Sequence, residues 1–79
     1  MTIKDLIQRE NKTGLGLSLN HHLEEIKEYK EKAEKFQFAK EFYFIEKGFL
    51  KGMVNALYLT HTITETEYKE IQADIRENY

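Results

Sequence analysis

The chain has no cysteine and no proline, and only four of its 79 residues are glycine. Without cysteine there is neither a disulfide nor a thiolate metal site, so this small protein must rely on its core and on whatever it binds. Charge of a single sign is missing too: 12 basic and 14 acidic residues are interspersed to a net −2. That balance provides neither the basic footprint of a nucleic-acid binder nor the acidity of a DNA mimic. No apolar run approaches the roughly 20 residues that span a bilayer, and Met1-Thr2-Ile3-Lys4-Asp5 lacks the apolar core of a signal peptide. A soluble, cytoplasmic protein without a membrane partner is expected.

What remains is a third of charged residues in a background of helix formers, a composition that reads as all-α. One domain accommodates 79 residues. Its ratio of buried to exposed surface is poor, which makes self-association or a partner protein the natural supplement to its core.

Thr2 precedes Ile3, Leu6 and Ile7 at helical spacing, Asp5 stands three residues after it, and Gly14 offers a stop. These features predict a helix over 3–12. In Thr13-Gly14-Leu15-Gly16-Leu17-Ser18-Leu19 leucine alternates with small residues, which predicts an extended, packed connector over 13–19. Propensity then favours a helix over 20–61, about 60 Å long if straight. A globule of this size has a radius of gyration near 12 Å, so such a helix must break or protrude to meet a partner. Leu23, Ile26, Tyr29, Ala33 and Phe36 form one apolar stripe, whereas Phe38, Phe42, Ile45, Phe49, Met53 and Ala56 form another on nearly the opposite side. The change of phase falls at Phe36-Gln37-Phe38.

Tyr43, Leu50, Val54 and Leu57 add a further strip beside the second stripe, more apolar surface than one short helix can cover. In Ile63-Thr64-Glu65-Thr66-Glu67-Tyr68, Thr64 is an N-cap, Glu67 completes a capping box, and Ile63 and Tyr68 form a hydrophobic staple. A final helix over 65–78, offering Tyr68, Ile71, Ala73 and Ile75, should fold back as the second arm of an αα-hairpin. Between the stripe residues of the first half, Glu28/Lys32 and Glu31/Lys35 stand in the favourable i, i+4 order of a solvated face.

Gly48, Gly52 and Ala56 recur every four residues, letting another backbone approach closely, either a second chain or an element of the same one. With Phe42, Phe49 and Met53 they make up the candidate interaction surface. Glu46 falls within the apolar arc, where it is either a buried acid or a seam residue reaching water or a lysine. No nucleophile or base accompanies it at a usable spacing. Adjacent side chains on a helix diverge, so His21 and His22 are poorly placed to chelate one ion, and His21 with Glu25 supplies only two ligands. Gly14-Leu15-Gly16 lacks the Gly-Lys-Ser/Thr of a phosphate loop. Neither metal nor cofactor is expected. A helix-turn-helix reader is disfavoured because Glu65, Glu67, Glu70, Asp74 and Glu77 outweigh Lys69 and Arg76 on the last helix.

The run Phe44-Ile45-Glu46-Lys47-Gly48-Phe49-Leu50-Lys51-Gly52, followed by Ala56-Leu57-Tyr58-Leu59 and the capping phrase Ile63 to Tyr68, resembles the C-terminal hairpin of small uncharacterised proteins carried by bacteriophages and other mobile elements. The capping phrase is also similar to the opening of the last helix in SHOCT modules. The resemblance covers residues 44–79 and implies an accessory protein that binds or inhibits another protein, such as a host or defence factor. It transfers no catalytic residue. The expectation is a non-enzymatic interaction protein, a homodimer or part of a complex. A nucleic-acid-associated regulator is the alternative, and a small enzyme comes last.

Overall fold

The first helix begins where its cap dictates. Thr2 Oγ1 accepts the Asp5 N–H at 3.1 Å and the Asp5 carboxylate accepts the Thr2 N–H at 2.9 Å, a reciprocal box that satisfies two otherwise orphaned donors. In the computed structural model, which describes all 79 residues, four helices and no strand make an all-α fold. They are α1 (Ile3–Arg9), α2 (Gly14–Lys32), α3 (Gln37–Leu59) and α4 (Glu65–Asn78).

The expected connector over 13–19 is instead the start of α2, and Gly14 opens that helix rather than stopping α1. Thr13 caps it, accepting the Gly16 N–H at 3.2 Å. The alternation of leucines fits a period of two for only a few residues. Continued along the chain, the buried positions are Leu19, Leu23 and Ile26, a helical stripe that leaves Leu17 70% exposed. Gly16 is the glycine that close packing requires. A Cβ there would collide with the Glu10 carbonyl group, because the first turn of α2 lies directly against the end of α1.

The predicted change of phase is a break. After Lys32 the chain turns, the Phe36 N–H bonds back to the Lys32 carbonyl at 3.0 Å, and Phe36 becomes the extended N-cap residue of α3. Folding α3 back on α2 brings Leu23 and Ile26 into one core cluster with Leu50, Val54 and Leu57. A straight helix would leave both sets in water, at a cost of about 1.5–3 kcal/mol for each large side chain.

The αα-hairpin of α3 and α4 is present. At its turn the Thr62 N–H reaches the Leu57 carbonyl at 2.9 Å and the His61 N–H the Tyr58 carbonyl at 3.1 Å. This is a Schellman closure, with His61 in the left-handed region at φ 62. Thr64 then caps α4. Its hydroxyl accepts the Glu67 N–H at 3.1 Å and Glu67 returns a carboxylate to the Thr64 N–H at 2.9 Å. Ile63 is buried, and Tyr68 stacks on Tyr58 with centroids 4.6 Å apart. α1 lies across α4, where the Ile3 N–H donates to Asp74 at 2.9 Å and Arg9 reaches Glu67 at 2.9 Å. Ile3, Leu6, Ile71 and Ile75 complete the core. The radius of gyration is 12.6 Å. No helix is long and apolar enough to cross a membrane.

Candidate interaction surface

α3 carries two apolar strips, and only one is used by the fold. Ala39, Leu50, Val54 and Leu57 are buried, and Tyr43 packs beside them. The other strip, centred about 120° around the helix at 100° per residue, runs from Phe38 through Phe42, Ile45, Phe49, Gly52 and Ala56 to Leu59. Its large members stay open to solvent: Phe42 is 45% exposed, Ile45 50%, Phe49 56% and Leu59 66%. α2 and α4 both pack on the first strip's side, which is why the second has no neighbour to cover it.

Five of the six sequence-derived surface residues, Phe42, Gly48, Phe49, Gly52 and Ala56, are exposed on or beside this strip. Met53 is set apart: it lies at the strip's edge, half-buried and packed against the core. An added Cβ on Gly48 or Gly52 would meet no atom within 4 Å. Close packing within the chain, one of the two explanations for these glycines, is therefore excluded.

Where the strip borders α2, side chains from both helices line its rim. Tyr29 stacks on Phe42 with ring centroids 5.4 Å apart, and Phe38 and Phe42 meet edge to face at 6.2 Å. Desolvation, then the charge and hydrogen bond of Glu25, raises the Tyr29 phenol above its ordinary pKa. Farther along, the His22 imidazole donates from Nδ1 to Glu46 Oε2 at 2.6 Å, and its ring lies 5.9 Å from that of Phe49. Glu46 is thus a seam residue, as one of its two readings holds, with its side chain 20% exposed to solvent and its partner a histidine of α2 in place of a lysine. Sequence reasoning left Phe38, Ile45, Tyr29, His22 and Leu59 out of the surface, although Phe38 and Ile45 stood in the second apolar stripe. Leu59 could have been found by continuing the second stripe's steps of four and three residues past Ala56, whereas Tyr29 and His22 depend on how α2 docks.

The remaining constellations separate. His21 stands 4.0 Å from Glu25 while His22 turns to Glu46, with the two rings tilted by 61°. A shallow depression lies at the far end of α2, lined by Glu28, Glu31, Lys32, Glu34, Lys35 and Phe36, away from Glu46. Of the two i, i+4 pairs anticipated on that helix, Glu28–Lys32 closes at 2.7 Å and Glu31–Lys35 does not form. On the strip itself Glu41 is the sole charged side chain by helical position, since Lys40, Lys47 and Lys51 project from the other side of α3.

No protein-family model, curated protein or solved structure matches the chain.

Proposed function

We propose that the protein is a small, non-enzymatic interaction module of the cytoplasm that binds a protein, a second copy of itself or another chain, through the outer strip of α3. The observation that carries this reading is the half-exposed row Phe38, Phe42, Ile45 and Phe49 on a single helix face. Half of a phenylalanine surface is roughly 100 Å², so with Leu59 the strip offers on the order of 500 Å² of apolar area. That lies toward the upper end of the largest patch found on typical monomers, about 300–600 Å², a size often tied to function. Covering it is worth about 12 kcal/mol at 25 cal/mol per Å², comparable with the roughly 4–15 kcal/mol lost to immobilisation on association. Aromatic residues of this kind are the usual anchors of interfaces.

The near absence of lysine and arginine from the strip favours a protein over a phosphate backbone, which would require them. The resemblance of the C-terminal hairpin to phage and mobile-element proteins is in keeping with an accessory role, in which binding inhibits the protein bound. The test is capture from a lysate of the source cells on immobilised protein, comparing the natural sequence with Phe42→Asp/Phe49→Asp. Proteins retained by the former and lost by the latter, with helicity unchanged, are expected. Identical retention by both would contradict the proposal.

A further inference from the structure

We propose that the occupant of the outer strip is a second copy of this chain, with the two α3 helices packed antiparallel about a two-fold axis between Gly48 and Phe49. The inference rests on the interaction reading above and names its partner.

The argument starts from an asymmetry in side-chain size. Along the strip the large residues Phe38, Phe42 and Ile45 occupy the N-terminal half, while Gly52 and Ala56 occupy the C-terminal half up to a terminal Leu59, with Gly48 and Phe49 at the middle. A two-fold interface uses the same patch on both copies, so the patch must be complementary to itself. An antiparallel pair meets that requirement. Ile45 falls on Gly52 of the second copy, Phe42 beside its Ala56 and Phe38 at its Leu59, while Gly48 and Phe49, next to the axis, each lie beside their own counterparts. Ile45 and Phe42 thus meet positions with little or no side chain, and only the two Phe49 rings, beside the open Gly48 positions, meet each other across the axis. Nothing within the chain uses the space over Gly48 or Gly52, both of which lie open. A parallel pair would instead place phenylalanine on phenylalanine and glycine on glycine, which leaves bulges and voids along one seam.

Charge supports the same arrangement. Identical faces carry identical charges, so self-association favours a face with almost none; Glu41 is the single carboxylate on the strip itself, and Glu46 at the rim is paired with His22. The antiparallel pair puts Glu41 opposite Ala56 and separates the two copies of Glu41 by about 22 Å, fifteen residues at 1.5 Å each. That distance exceeds the Debye length of about 8 Å at physiological salt. A parallel pair would set them side by side. Area is sufficient as well. The two strips together supply on the order of 1,000 Å², the lower bound for a specific interface, before the rims formed by Tyr29 and His22 of each copy add theirs.

Because the chain has no cysteine, single cysteines introduced on the exposed strip report its neighbours without interference. Under mild oxidation, Gly48→Cys is expected to give a covalent dimer by itself. Ile45→Cys and Gly52→Cys are each expected to remain uncrosslinked alone and to give a crosslinked pair when mixed. All three positions are exposed, and circular dichroism of each variant verifies the fold. Crosslinking of Ile45→Cys alone and of Gly52→Cys alone would overturn the antiparallel arrangement. No crosslink in any of these experiments, together with a monomeric mass, would overturn the second copy as occupant. Failure of the underlying interaction reading has a different signature: the Phe42→Asp/Phe49→Asp protein would keep both the assembly state and the captured proteins of the natural sequence.

Discussion

Arg9 of α1 and Glu67 of α4 meet through Nη1 and Oε2 at 2.9 Å, so the carboxylate that caps α4 also fastens α1 to it. The Thr64 N–H, with Arg9 adding its charge, holds the Glu67 carboxyl below its ordinary pKa of 4.5. In the same way, the backbone N–H and then the hydroxyl of Thr2 hold Asp5 below 3.8. A carboxylate whose pKa is lower in the folded state stabilises the fold above its ordinary value, and that stabilisation disappears as pH falls through the folded value. Melting temperature should therefore be insensitive to these two groups above about pH 5 and decline below about pH 4.5. Glu67→Gln preserves the capping hydrogen bond and removes the titration. Thermal melts across this range should show a shallower acid decline for Glu67→Gln, and an unchanged slope would count against the assignment.

Thr64→Ala removes the hydroxyl that accepts the Glu67 N–H, and a lost N-cap costs roughly 1 kcal/mol. Thr66 lies within the first turn of α4 and is exposed. Urea titrations should show a clear loss for Thr64→Ala and a smaller one for Thr66→Ala. Equal losses would mean that the cap contributes nothing particular.

Gly16 and Gly14 make an internal control. Gly16→Ala forces a methyl group into the Glu10 carbonyl, whereas the same change at Gly14 meets open space. Overpacking of this kind typically costs about 1–3 kcal/mol, and alanine in place of an unconstrained helical glycine gains up to about 1 kcal/mol. Denaturation should thus show Gly16→Ala destabilised and Gly14→Ala neutral or stabilised. A neutral Gly16→Ala would contradict the close approach of α1 and α2.

Much of this fold is legible in the sequence where the signal is local. The boxes Thr2/Asp5 and Thr64/Glu67 mark two helix starts, and both close as their spacing implies. The shift of apolar phase at Phe36 to Phe38 marks the break between α2 and α3, although it fits a continuous helix that changes partner equally well. Leu15 to Leu19 misleads because five residues fit a period of two, while the helical stripe is apparent only when Leu23 and Ile26 are included. The surface is harder. Periodicity places two apolar strips on α3, but which of them is covered depends on how α2 and α4 dock. The same docking determines that Gly16, and not Gly48 or Gly52, is filled against within the chain.

The central claim is that the outer strip of α3 is covered by a second copy, and the mass of the protein in solution tests it most directly. Light scattering coupled to size exclusion should give about 19 kDa at micromolar concentration, twice the 9.5 kDa of one chain, and about half that value for Phe49→Asp with its helicity intact. A mass of 9.5 kDa for the natural sequence at every concentration examined, or an unchanged dimer for Phe49→Asp, would contradict it.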